Sequence, residues 1–142
     1  MRELDDKSER GLAVISGMMG PQYGEKLREA ATSGKFGSAI SRMAIDYAFA
    51  DGWGREGLAR REKSLVVIGA LIALKQQAEL KNHVKIGVAN GLTVADFESV
   101  LAQACPYVGF PCIATATTAV IEALREIGLD PDVKTSQERG LL

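Results

Sequence analysis

The chain has 142 residues, 46% of them hydrophobic, and its 17 Lys and Arg nearly balance 18 Asp and Glu to leave a net charge of −1. That is one domain's worth of globular protein with enough apolar material for a core. It lacks the basic surplus that a phosphate backbone requires of its partner, so nucleic acid is not an expected ligand.

The charged start, Met1-Arg2-Glu3-Leu4-Asp5-Asp6-Lys7, carries no secretory apolar stretch. The longest apolar run, Leu65 to Leu74, is too short to cross a bilayer. A cytoplasmic protein with no membrane partner is expected. From Asp6 to Ile15 the pattern predicts a short first helix, broken by Gly17-Met18-Met19-Gly20-Pro21, and from Glu25 to Thr32 a second, stopped by Ser33-Gly34. After Phe36, the residues Ile40, Met43, Ala44, Tyr47 and Ala48 recur at three and four, the stripe of an amphipathic helix. Asp51-Gly52-Trp53-Gly54-Arg55-Glu56-Gly57 reads as a glycine-rich loop holding the one Trp. No GK[ST] follows these glycines and no strand precedes them, so they are not a phosphate loop.

A helix from Ala59 or Arg60 to Leu74 has a charged first turn and an apolar body, the pattern of a buried core helix. Lys75-Gln76-Gln77 breaks it, and Ala78 to Asn90 forms the next, ended by a left-handed stop at Asn90-Gly91. Thr93 caps a helix to about Tyr107, with Asp96 completing a shortened capping box. Gly109-Phe110-Pro111 leads into a last helix, about Pro111 to Ile127, closed by Gly128, and the polar residues from Asp130 read as a loose tail.

No alternating, strand-like run occurs. The expectation is an all-α compact bundle of about six to seven helices. It forms one domain over 1–142, with N-terminal helices to 35, a core over 36–128 and a tail over 129–142. Small residues at helical positions (Gly69, Ala70, Ala73, Gly87) allow close helix approach. So apolar a helix as Leu65–Leu74 also needs cover on all sides, which favours a homo-oligomer.

His83 is the one histidine, and Glu79 lies four residues before it. On a helix that spacing puts both side chains on one face, one turn apart. There the carboxylate can orient the imidazole and raise its pKa, which suits proton transfer near neutral pH. Cys105 and Cys112 form neither a CxxC pair nor, with a single histidine, a metal-ligand set. No metal site is expected from these residues.

Five blocks then stand in a telling order: Tyr47-Ala48-Phe49-Ala50-Asp51-Gly52-Trp53, Leu58-Ala59-Arg60-Arg61-Glu62-Lys63-Ser64-Leu65, Glu79-Leu80-Lys81-Asn82-His83-Val84, Asn90-Gly91-Leu92-Thr93 and Tyr107-Val108-Gly109-Phe110-Pro111. Together they resemble the carboxymuconolactone decarboxylase family, with the last block similar to its Tyr-Ala-Gly-Val-Pro. The resemblance implies an all-helical fold of the alkylhydroperoxidase-like type, assembled as a trimer or hexamer. A sister branch, the alkylhydroperoxidase-like proteins, carries Cys-x-x-Cys ahead of the same histidine. The matching positions here are Gln76 and Glu79, so disulfide-based peroxide reduction has no thiolate to run on. After Pro111 the family continues with a polar segment such as Arg-Ala-Asn, where this chain has Cys112-Ile113-Ala114-Thr115-Ala116. Where that segment touches substrate in the family, the departure implies a drier pocket here and room for a different substrate.

The activity implied is cofactor-independent decarboxylation of a small carboxylated lactone to an enol-lactone, in breakdown of aromatic compounds. His83 would be the proton donor, with Glu79 its orienting carboxylate or a second acid/base. Arg60 or Arg61 would anchor the anionic substrate, while Trp53 and Tyr107 would wall the pocket. Two alternatives use the same scaffold: an isomerase or hydrolase on another small molecule, and a non-catalytic oligomeric binding protein.

Overall fold

The computed structural model describes residues 3–141, and each regular element in that span is helical. In order they are α1 (Asp6–Met19), α2 (Pro21–Thr32), α3 (Ser38–Met43), a π-helical segment (Ala44–Trp53), α4 (Arg60–Ala73), α5 (Gln77–Ala89), α6 (Val94–Val108) and α7 (Phe110–Glu126). Among the described residues there is no strand, and no helix is long and apolar enough to cross a membrane. The elements fall into two compact units, one ending at Ala59 and the other starting at Arg60.

In the first unit, Asp5 caps α1 by accepting from the Ser8 backbone N–H at 2.9 Å. The helix passes through Gly17, overrunning its predicted end at Ile15. The true stop is Gly20, at φ 93°, whose N–H donates to the Ser16 carbonyl at 2.8 Å. Pro21 then opens α2 at the first helical position, where its missing N–H costs nothing, so α2 starts four residues before the predicted Glu25.

Three contacts join α1 to the π-helical segment: the Ser8 hydroxyl donates to Asp46, the Lys7 ammonium donates to Asp51 at 2.6 Å, and Gly11 packs against the Ile45 carbonyl with no room for a Cβ. Arg42 Nε braces the same Asp46 from one turn away, at 2.8 Å. The wide-turn ladder, with Gly54 N–H donating to the Phe49 carbonyl at 2.8 Å, carries helix through Trp53. The predicted loop from Asp51 therefore begins only at Gly54. The expected apolar stripe is present but uncovered: Ile40, Met43 and Tyr47 are 69, 61 and 76% exposed.

In the second unit α5 and α6 each pack on both α4 and α7. Ile68 and Ile72 of α4, Leu80 and Val84 of α5, Phe97 and Leu101 of α6, and Ala116, Ala119, Val120 and Ala123 of α7 form one apolar core. The cover that Leu65 to Leu74 is expected to need on all sides is only partly supplied within one chain. Its helix buries a single stripe, Ser64, Ile68 and Ile72, while Val66, Ala70, Ala73 and Leu74 lie exposed, because this unit's helices pack on one side of α4 only.

Thr93 and Asp96 complete the predicted capping box at 3.2 and 2.8 Å. The residues beyond Asp130 are not loose. Arg125 grips Glu138 at 2.8 and 2.9 Å, Glu138 accepts from the Thr135 N–H, and Thr135 is buried.

Three helices end in the same Schellman motif, α7 among them, with Leu129 N–H donating to the Leu124 carbonyl and Gly128 N–H to that of Arg125. After α5, Leu92 N–H donates to the Gly87 carbonyl and Gly91 N–H to that of Val88, with Gly91 at φ 99°. After α4, Gln76 N–H donates to Leu71 at 3.0 Å and Lys75 N–H to Ile72 at 3.1 Å. The left-handed residue is now Lys75, at φ 58°, the one non-glycine with positive φ among the described residues. Left-handed backbone costs a side-chain-bearing residue about 1–2 kcal/mol, whereas glycine's extra freedom in the unfolded chain costs about 0.5–1. Lys75→Gly should therefore leave the protein no less stable, and up to about 1 kcal/mol more so, read from urea unfolding midpoints.

Candidate active site

Helix α5 sorts its residues by face. Leu80, Val84 and Gly87 are buried. Lys81 and Lys85 turn to α7, where each ammonium meets Glu126 at 2.7 Å, and these hydrogen bonds hold that carboxyl at about 2. Glu79 and His83 take the remaining face, one turn apart as their spacing predicts. Glu79 is exposed, whereas His83 is half-buried with its Nδ1 shut off from solvent.

Two effects act on the imidazole. Burial disfavours the charged ring and pushes its pKa below 6.5, and the Glu79 charge pulls the other way with less effect. The sequence reading had the sign of Glu79's influence right but left out burial, which is the larger. Burial thus favours the neutral form of the ring.

Arg60 and Arg61 occupy the first turn of α4, and both are exposed. Arg61 is engaged: its guanidinium donates to Asp96 Oδ1 at 2.8 Å, while Asp96 Oδ2 accepts the Thr93 N–H. Those bonds hold the Asp96 carboxyl below the usual range, the Thr93 backbone bond foremost. The sequence identified Asp96 only as a capping residue. Its second role, 35 positions from Arg61, has no local signal. No carboxylate among the described residues is paired with Arg60.

Arg61 and Tyr107 do come together, as walls of an open depression of ≈650 Å³ between α4 and α6, with Leu65, Val100 and Gln103. Glu79 and His83 are not among its walls. Tyr107 is 82% exposed, and Trp53 is buried at the end of the π-helical segment in the first unit. One chain thus presents two groupings, Glu79 with His83 and Arg61 with Tyr107. Among the described residues no three His, Cys, Asp or Glu gather as metal ligands, and Cys105 and Cys112 are free thiols.

The described chain is all-helical, sets a carboxylate one turn from its one histidine, and has no Cys-x-x-Cys ahead of that histidine. The family model then places it: residues 39–122 match, and the chain belongs to the carboxymuconolactone decarboxylase family. The matched span runs from α3 into α7 and includes the Glu79/His83 pair. The chain is 27% identical over 128 residues to 4-carboxymuconolactone decarboxylase of Acinetobacter baylyi, across 90% of this chain and 94% of that one. It is 29% identical over 106 residues to nitrosuccinic acid decarboxylase of Metarhizium robertsii, across 74% and 73% of the two chains.

Proposed function

We propose that this protein is a cofactor-independent carboxy-lyase that removes carbon dioxide from a small carboxylated lactone of the 4-carboxymuconolactone type. The observation that carries this reading is a half-buried imidazole one turn from a carboxylate, inside the family-matched span of a chain whose two similar relatives are both named decarboxylases. In the reaction, the bond between ring carbon and carboxylate breaks and carbon dioxide leaves. The bonding pair passes into the unsaturated lactone, whose carbonyl is the electron sink, and the resulting dienolate takes a proton on carbon to give the enol-lactone. The protein has to supply that proton and hold the anion.

His83 is the donor in this scheme. Burial favours its neutral form, and a docked anion raises its pKa so that the ring takes up from solvent the proton it then delivers. Glu79 adds to that pull. Arg60, which has no carboxylate of its own to balance, is the anchor we favour over Arg61, already held by Asp96. A guanidinium gripping a carboxylate fixes orientation as well as affinity. Arg60→Ala should accordingly raise KM roughly tenfold with a smaller effect on kcat, measured by steady-state kinetics. Tyr107 remains a pocket wall in the proposal.

The second relative's name favours one alternative substrate type, a small nitro-dicarboxylate. There the pair left by carbon dioxide passes into the nitro group instead of a lactone, and the same acid protonates the carbon. Decarboxylation assays on both types separate the readings.

The apolar stripe Ile40, Met43 and Tyr47, and the open face of α4 at Val66, Ala70, Ala73 and Leu74, support a homo-oligomer, a trimer or hexamer, as the working form. Light scattering on the purified protein should return a mass three or six times 15.2 kDa.

A further inference from the structure

A second cavity, ≈200 Å³ in volume, lies in the unit of α4 to α7, between the end of α4, the start of α5 and the first turns of α7. Ile72, Leu80 and Pro111 give it apolar walls, and Lys75, Gln76 and Thr115 bring polar groups to it. A cavity of about 150 Å³ accommodates a benzene ring, so this one has space for a six-membered ring bearing one small substituent.

The charge at its edge is what makes the cavity selective. Lys75 stands where a helix ending in a Schellman motif would ordinarily have glycine, in left-handed backbone at φ 58°. Backbone stability does not call for a lysine there. No carboxylate among the described residues is paired with its ammonium. The same stretch of α7, Cys112 to Ala116, is where the sequence departs from its family's polar pattern, and three of those five residues line this cavity (Cys112, Thr115 and Ala116).

From these features we infer that the cavity is a binding site for a small, flat, unsaturated monocarboxylate. The ring lies among Ile72, Leu80 and Pro111, the carboxylate is held by the Lys75 ammonium, and the Gln76 amide donates its second N–H, the first going to the Leu74 carbonyl and the Thr115 hydroxyl being spent on that of Pro111. Neither His83 nor Glu79 is among the residues that line it.

The test is titration of the full-length protein with benzoate, followed by calorimetry and by backbone amide NMR. Benzamide serves as the neutral shape match and inorganic phosphate as the ringless anion. Saturable benzoate binding is expected, with shifts centred on Gln76, Thr115 and Ala116. Benzamide and phosphate should bind at least about tenfold more weakly, as loss of a charge-assisted contact or of the ring burial implies. Lys75→Gly should lose about tenfold or more in benzoate affinity while being no less thermally stable, which separates the ammonium from any role in the fold. Ala116→Leu, which fills the cavity, should abolish binding in protein that remains helical by circular dichroism. Undiminished benzoate affinity in Lys75→Gly would overturn the assignment. So would equal affinity for phosphate, shifts centred on His83 and Arg60, or no binding of benzoate at millimolar concentration.

Discussion

His83→Gln should lower kcat by roughly 10²–10⁴-fold, the range that a positioned acid contributes, with helix content and assembly mass unchanged. Glutamine nearly matches the imidazole in size and keeps polar atoms at a half-buried position, so the loss reports the missing proton rather than a hole in α5. The residues that hold α5 in place are others: Leu80 and Val84 in the core, and Lys81 and Lys85 on Glu126. Glu79→Gln should cost far less, under about tenfold, because an exposed carboxylate acts through solvent that screens it. Equal losses in the two variants would point instead to Glu79 as the group that moves the proton.

The pH dependence is the second large effect, and burial sets its sign. With the empty-site pKa of His83 below 6.5, the donor form is the minority species at pH 7. The profile of kcat/KM, which reports the free enzyme, should fall tenfold per unit above a pKa that lies under 6.5. A bound anion beside the ring favours the imidazolium, so the matching limb of kcat should appear at higher pH. Rate measurements from pH 5 to 8 give both limbs, and coincident limbs, or a reversed order, would contradict the charge coupling proposed between substrate and ring.

Folding stability should follow the same group. The unfolded imidazole has the ordinary pKa near 6.5 and the folded one a lower value, so the unfolded chain holds more protons between the two. The contribution is complete above about pH 6.5 and is lost as pH falls through the folded pKa. That part of the dependence should vanish in His83→Gln.

Much of this was legible from local chemistry. Thr93 with Asp96, and Asn90 with Gly91, are start and stop signals contained in a few residues, and both formed as read. The Glu79/His83 register followed from helical spacing alone. What spacing misses is burial and partners distant in sequence. The pKa of His83 turned on the first, which no i,i+4 rule includes, and the engagement of Arg61 turned on Asp96, a residue on another helix. The π-helical segment was hidden because Gly52 looks like loop in a sequence, whereas an i→i+5 ladder absorbs it. The apolar body of α4 read as needing cover all round, and within one chain only the stripe Ser64, Ile68 and Ile72 receives it, because periodicity does not say which neighbour covers a face.

Carbon dioxide release from 4-carboxymuconolactone labelled at the departing carboxylate, followed side by side for the unaltered protein and for His83→Gln, tests the proposed role of the imidazole most directly. The account requires one labelled carbon dioxide per enol-lactone formed by the unaltered protein, and a rate lower by at least about a hundredfold in the variant. Equal rates from the two proteins, or no release from either this lactone or nitrosuccinic acid, would contradict it.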